Sequence, residues 1–166
     1  MKRVMTYDEL KVRADELHEK IEAEVDGDYL IVAVSRGGVT LAHRIAVRSN
    51  RPLNFYSPKT NTLAFTHRYE TLVFIEDLVA LGRTHARVRE MVSTAPPGLY
   101  AENKNWFFCP LVVDAKFAAQ NQPLPFKIYG SIESDWIVFP YEDDEKVHEG
   151  DHGLFRDGSG KYGKST

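Results

Sequence analysis

Residues 71–84 read TLVFIEDLVALGRT, and the fold turns on how the apolar run in this stretch meets the two acids after it. Leu72, Val73, Phe74 and Ile75 make a continuous apolar run, as expected of a strand that is covered on both faces and has no solvent side for polar residues. Glu76 and Asp77 then fall at the C-terminal end of that strand. In an open α/β sheet this is the end at which ligands bind, so the acids read as chemistry rather than as solubilising charge.

Working outward, GDYLIVAVS (27–35) reads as a turn and a second buried strand rich in β-branched residues, and RGGVTLAHRIAVRS (36–49) carries Val39, Ala42, Ile45 and Ala46 at helical spacing. Strand again runs into helix through glycine. Before it, Thr6 and Glu9 form a capping-box pattern, with Leu10, Ala14, Leu17 and Ile21 on one helical face. RPLNFYSP (51–58) is a short strand, KTNTLAFTHRYE (59–70) a polar loop, and RTHARVREMV (83–92) a helix with Ala86, Val88, Met91 and Val92 as its apolar positions. STAPPGLYAENKN (93–105) is a connection. WFFCPLVV (106–113), FKIYGSI (126–132) and WIVFPY (136–141) read as further strands. Pro110 removes a ladder donor, so its strand should be at an edge, bulged or shorter there. The alternation of strands and helices predicts an α/β fold with a central parallel sheet flanked by helices.

The 166 residues suit one domain with a core of its own. We place that domain at 1–142 and read 143–166 as a charged, glycine-rich tail. With 24 acidic and 21 basic residues the net charge is −3, which offers no overall basic field for nucleic acid. No apolar run approaches the roughly 20 residues of a spanning helix, and the N-terminal stretch has no apolar signal core, so we expect a cytoplasmic protein without a membrane role. Cys109 is the single cysteine and reads as a small core residue. The tail holds HEGDH (148–152) and GSGKYGKS (158–165), which match by letter a zinc-protease helix and a phosphate-binding loop. Gly150 and Gly153 oppose the helix that the first needs, and no buried strand leads into the second, so both are set aside.

The two glycine turns belong together. In a parallel sheet they can sit side by side above the strand ends, each aiming backbone N–H groups and a helix N-terminus at an anion. Arg36 adds charge to the first turn, and Gly37 and Gly38 allow close approach. Gly82, Arg83 and Thr84 bring amides, a charge and a hydroxyl to the second, and Glu76 and Asp77 can take ribose hydroxyls or Mg²⁺. A plainer account has the glycines merely permitting tight turns and the acids solvated.

IVAVSRGGVTLAHRIA (31–46) and LVFIEDLVALGRTHARVREM (72–91), in that order after an N-terminal helix, resemble the type I phosphoribosyltransferases, especially the bacterial xanthine-guanine enzymes. DWIVFPYE (135–142) is similar to that subfamily's purine-holding segment, and DAKF (114–117) to its base-reading lysine motif. The resemblance implies a type I phosphoribosyltransferase fold and a Mg²⁺-dependent transfer of phosphoribosyl from phosphoribosyl pyrophosphate to a 6-oxopurine, releasing pyrophosphate. By position it implies that Ser35, Arg36, Gly37 and Gly38 hold the departing diphosphate, and that Glu76 and Asp77 hold the ribose diol and Mg²⁺. Ala80, Leu81, Gly82, Arg83 and Thr84 would cradle the 5′-phosphate. Lys116 would donate to the purine 6-oxo group, Trp136 would stack on the base and the Ile137 main chain would read its edge. Without the resemblance, Trp136 is equally a core aromatic and Lys116 an ordinary surface lysine. Relatives form dimers or tetramers, which implies a homo-oligomer.

The chain departs from the family in two places. After the acids the family pattern is Asp-Leu-Val-Asp-Thr-Gly, whereas this chain has Ala80 and Leu81 in place of the second aspartate and the threonine. In purine-type relatives that aspartate handles the proton on the imidazole nitrogen. The stretch 57–70 is also short for the mobile hood that closes over such sites, with Lys59, His67 and Arg68 as its candidates for reaching the diphosphate. Two alternatives follow: a non-catalytic relative that binds phosphoribosyl pyrophosphate or a nucleotide as a regulator, and a hydrolase on the same fold.

Overall fold

The computed structural model describes residues 1–63, 69, 71–94 and 105–142. A helix α1, Tyr7–Glu22, follows a short strand β1, Lys2–Val4. The Thr6 hydroxyl oxygen accepts the Glu9 N–H at 3.1 Å, and the helix buries Leu10, Ala14, Leu17 and Ile21, the face that the spacing predicts. Strand β2, Tyr29–Val34, is buried at every position. It feeds α2, Gly38–Ser49, which buries Leu41, Ala42, Ile45 and Ala46 and ends at Asn50 in the left-handed region. Val39, predicted on that face, is half-buried and packs against the same core.

Strand β3, Leu53–Ser57, turns back through a two-residue antiparallel strand β4, Thr62–Leu63, so the predicted polar loop carries a piece of sheet. The predicted four-residue strand at 72–75 is longer: β5 spans Thr71–Val79. It encloses Glu76 and Asp77 because their backbone keeps pairing with the next strand after their side chains have stopped being apolar. Helix α3, Arg83–Thr94, buries His85, Val88 and Met91. Strand β6, Asn105–Asp114, leads into α4, Ala115–Gln120, capped by the Asp114 carboxylate. Of the predicted strand at 126–132 only its end forms, as β7, Ser131–Glu133. Phe126 instead turns into an aromatic cluster with Phe108 and His85, and a Cβ on Gly130 would lie 1.9 Å from the Leu111 carbonyl oxygen, so the chain crosses β6 before pairing with it. The last predicted strand is shorter too: β8 is Trp136–Val138.

The main sheet has six strands in the order β4-β3-β2-β5-β6-β7, parallel except for β4. β8 stands outside it, paired in parallel with β1 in a sheet of two. The predicted tension at Pro110 resolves by position, since β7 pairs with β6 only from Val112 onward and the ladder at Pro110 is one-sided. Helices cover both faces. One core gathers Leu17 and Ile21 of α1 and Leu41 and Ile45 of α2 over Ile31, Ala33, Val73 and Ile75. The other sets Val88 and Met91 of α3 and Phe117 of α4 over Val32, Leu72, Phe74 and Val113. Strand alternation divides the apolar run of β5 between them.

This order has a switch point. From β2 the chain crosses by α2 to β3 on one side, and from β5 it crosses by α3 to β6 on the other. β2 and β5 are neighbours, paired from Tyr29 with Thr71 to Ala33 with Ile75. Their C-terminal ends open on a crevice between two diverging connections, the place where such sheets bind ligands.

Candidate functional site

Both glycine turns stand at that crevice. The first runs from β2 through Ser35, Arg36 and Gly37 into α2; its Ser35–Arg36 peptide is cis. Gly37 is the N-cap of α2 and provides no side-chain cap, while the Val39 N–H in the first turn donates to the Arg36 carbonyl at 3.2 Å. The glycines here are required by contact: a Cβ on Gly38 would lie 2.2 Å from the Ile75 carbonyl oxygen, and one on Gly37 would lie 2.0 Å from Asp77 Oδ2. The α2 turn is thus pressed onto the end of β5. The second turn, Ala80 to Gly82, joins β5 to α3. Gly82 has φ +68, and a Cβ there would meet the Phe117 ring at 2.5 Å, which ties the turn to α4.

The two acids differ in their surroundings. Asp77 accepts the Leu78 N–H on Oδ1 at 2.8 Å and the Tyr141 hydroxyl on Oδ2 at 2.7 Å. Glu76 is 5 % exposed, and its Oε2 is buried with no hydrogen-bond partner. Burial, and then the Asp77 charge beside it, push the Glu76 carboxyl well above the usual carboxylate range, against a smaller pull from the Thr84 hydroxyl. Burial and the same Asp77 charge also raise Glu142. Negative charge is crowded and disfavoured at this end of β5, a state that a cation relieves.

Arg36 is exposed in the first turn and Arg83 is exposed at the start of α3; Ser35, Ala80 and Thr84 are half-buried, and Leu81 is half exposed at 50 %. The side chains of Lys116, Arg36 and Arg83 are tied to no other side chain among the described residues. Lys116 lies on α4, where its N–H donates to Asp114 Oδ1 at 2.8 Å. Trp136 and Ile137 lie on β8, half-buried and buried respectively. The Trp136 N–H donates to the Met1 carbonyl and the Met5 N–H to the Val138 carbonyl, so residues 136 and 138 direct their polar backbone groups at β1. Ile137, between them, turns its N–H and C=O the other way.

Tyr141 and Glu142 fall within the segment 135–142 but receive no role from the sequence, because WIVFPY reads as strand and Glu142 follows it. Pro140 was the available signal: residues 139–142 form a turn, in which the Glu142 N–H donates to the Phe139 carbonyl at 2.9 Å and Glu142 Oε2 accepts the Phe139 N–H at 2.8 Å. Strand β1, which holds β8, was missed as well. Three residues of KRV give too short a pattern to read. His67 and Arg68 and both tail motifs lie outside the described residues, and so does the boundary drawn after 142. Lys59 is exposed in the turn between β3 and β4. Among the described residues no three histidine, cysteine or acidic side chains gather as a metal cluster, and no helix is long and apolar enough to cross a membrane.

No family model matches the chain, and no curated protein matches it in sequence. Solved structures do match its fold. The purine phosphoribosyltransferase of Pyrococcus horikoshii aligns over 89 % of this chain and 98 % of its own, at 21 % identity and a TM-score of 0.65. The xanthine-guanine-hypoxanthine phosphoribosyltransferase of Helicobacter pylori aligns over 88 % and 97 %, at 17 % identity and a TM-score of 0.66. A Neisseria gonorrhoeae protein with bound ppGpp aligns over 87 % and 91 %, at 16 % identity and a TM-score of 0.63. With its mostly parallel six-stranded sheet between two helical layers, the chain has the fold of the phosphoribosyltransferases.

Proposed function

We propose that the protein is a purine phosphoribosyltransferase, joining a 6-oxopurine to phosphoribosyl pyrophosphate and releasing pyrophosphate. The observation that carries this reading is the meeting of two glycine turns at the switch point, with Gly37 pressed against Asp77 at the end of β5. That arrangement offers two anion sites on either side of an acid pair, as a sugar with a diphosphate at one end and a phosphate at the other requires.

In the reaction a nitrogen of the base bonds to the anomeric carbon as the bond from that carbon to the diphosphate oxygen breaks, and the nitrogen gives up its proton. The sugar passes through a cationic, oxocarbenium-like state. Ser35 to Gly38 hold the departing diphosphate with amides, the α2 N-terminus and Arg36, and Gly82 to Thr84 anchor the 5′-phosphate, Ala80 and Leu81 contributing backbone. Trp136 stacks on the base, an interaction worth roughly 1–3 kcal/mol, while Ile137 reads its edge through the backbone and Lys116 addresses its 6-oxo group.

The residues fit Mg²⁺. Glu76 Oε2 is a buried oxygen without a partner, and Mg²⁺ is commonly held by one or two carboxylates together with substrate phosphates rather than by an all-protein cage. Glu76 and Asp77 would hold it. When bound it neutralises developing diphosphate charge.

The test is incubation with Mg²⁺, phosphoribosyl pyrophosphate and, separately, guanine, xanthine or hypoxanthine, following pyrophosphate and nucleotide together. Equal appearance of both with one base supports transfer; pyrophosphate alone points to a hydrolase. A second reading, a non-catalytic nucleotide binder, draws on Ala80 and Leu81: no side chain at position 80 can take the base's proton, and the half-exposed Leu81 provides no hydroxyl. The ppGpp-bound structural neighbour fits that reading. Binding of phosphoribosyl pyrophosphate or ppGpp without turnover is its mark.

A further inference from the structure

The turn at 139–142 is closed twice, by the Glu142 N–H on the Phe139 carbonyl and by Glu142 Oε2 on the Phe139 N–H. Phe139 is 2 % exposed, and the Tyr141 ring stacks on it at 5.4 Å with an interplanar angle of 11°. Tyr141 is therefore fixed through its ring, and its hydroxyl donates to Asp77 Oδ2 at 2.7 Å. At the other end of this contact, Asp77 Oδ1 is held by the Leu78 N–H. A carboxylate with each oxygen tied to a different donor has one orientation. That orientation sets it directly beneath Gly37, where there is no room for even a Cβ.

We propose that Tyr141 is a positioning residue: through Asp77 it braces the first glycine turn against segment 136–142, so that the two move as one body. Tyr141 touches no reacting atom in this account. Each Asp77 oxygen keeps a lone pair for a ligand, and the brace decides where those lone pairs point. The consequence for ligands rests on the phosphoribosyltransferase reading: a base seated on 136–137 and a diphosphate seated on 35–38 should each favour the other.

Two measurements test this, the first without any ligand. In the free protein, Tyr141→Phe keeps the ring stack and deletes the hydroxyl. Loss of a hydrogen bond to a charged group should speed amide hydrogen exchange about tenfold at residues 36–39 and 137–142 together. Faster exchange at 137–142 with residues 36–39 unchanged would overturn the brace. Asp77→Asn combined with Tyr141→Phe should exchange no faster than the faster single variant, and additive effects would also overturn it.

The second measurement is calorimetric titration of phosphoribosyl pyrophosphate with Mg²⁺, with and without 9-deazaguanine, a base that lacks the acceptor nitrogen. The wild type should show at least about fivefold mutual enhancement. In Tyr141→Phe the enhancement should fall below about twofold while each ligand alone binds nearly as before. A purely structural tyrosine would weaken both ligands and leave the enhancement intact, which overturns the coupling. A wild type that binds neither ligand overturns the phosphoribosyltransferase reading instead, and amide exchange then decides the brace by itself.

Discussion

His85 sits on the buried face of α3 among Trp106, Phe108 and Phe126, with ring centroids 4.9–5.6 Å away. Its Nε2 has no hydrogen-bond partner. Burial, with a smaller contribution from the Arg89 charge, lowers its pKa from 6.5 to about 4. Between those values the unfolded chain binds a proton that the folded chain refuses, so this group's contribution to stability is present above pH 6.5 and lost as the pH falls toward 4. The loss approaches about 3 kcal/mol. Against His85→Phe, which lacks that proton site, the wild type should lose about 2 kcal/mol of stability between pH 7 and pH 5 in urea unfolding. A constant difference across that interval would mean that the imidazole is solvated. The second residue-scale prediction concerns position 80, half-buried at the second turn. If a missing proton acceptor limits transfer, Ala80→Asp should raise kcat by up to about 10² without tightening phosphoribosyl pyrophosphate. An unchanged rate would place the proton's exit elsewhere.

At the scale of elements, the turns and caps near the crevice are linked by close contacts. Gly82 combines φ +68 with a Cβ position 2.5 Å from the Phe117 ring. Gly82→Ala should therefore cost about 1–3 kcal/mol in thermal unfolding. It should also displace α4, seen as altered chemical shifts at Lys116. A loss confined to stability, with Lys116 unmoved, would separate the turn from α4. Helix α4 is only six residues long, and the Asp114 carboxylate accepts the N–H groups of both Lys116 and Phe117 at 2.8 and 3.0 Å. Asp114→Ala should cost about 1 kcal/mol. Thr6→Ala, at the start of the longer α1, removes a comparable cap and supplies the reference. On β8, Trp136→Ala should weaken base binding while sparing phosphoribosyl pyrophosphate in calorimetry; equal loss of both ligands would make Trp136 a structural aromatic.

For the whole molecule, the two helical layers were legible in the sequence because their signals are local. The α1 face of Leu10, Ala14, Leu17 and Ile21 repeats at helical spacing, and Leu30–Val34 in β2 and Leu72–Ile75 in β5 are apolar without interruption. The two glycine turns and the acid pair were legible for the same reason, as a strand ending, a glycine and a helix lie within a dozen residues of each other. Homo-oligomer formation is a further expectation at this scale, checked by mass in solution. Read alone, the sequence therefore carried the set of parts: which segments are buried on both faces, where the three longer helices start, and which residue types stand at the ends of the strands; the six-residue α4 was not among them. Tertiary structure decided how those parts meet. The pairing of β2 with β5, the removal of β8 to a separate sheet with β1, and the reach of Tyr141 to Asp77 across 64 residues of chain depend on contacts between distant segments. Local periodicity carries no record of such contacts, because each is selected by the packing of the whole core rather than by the residues beside it.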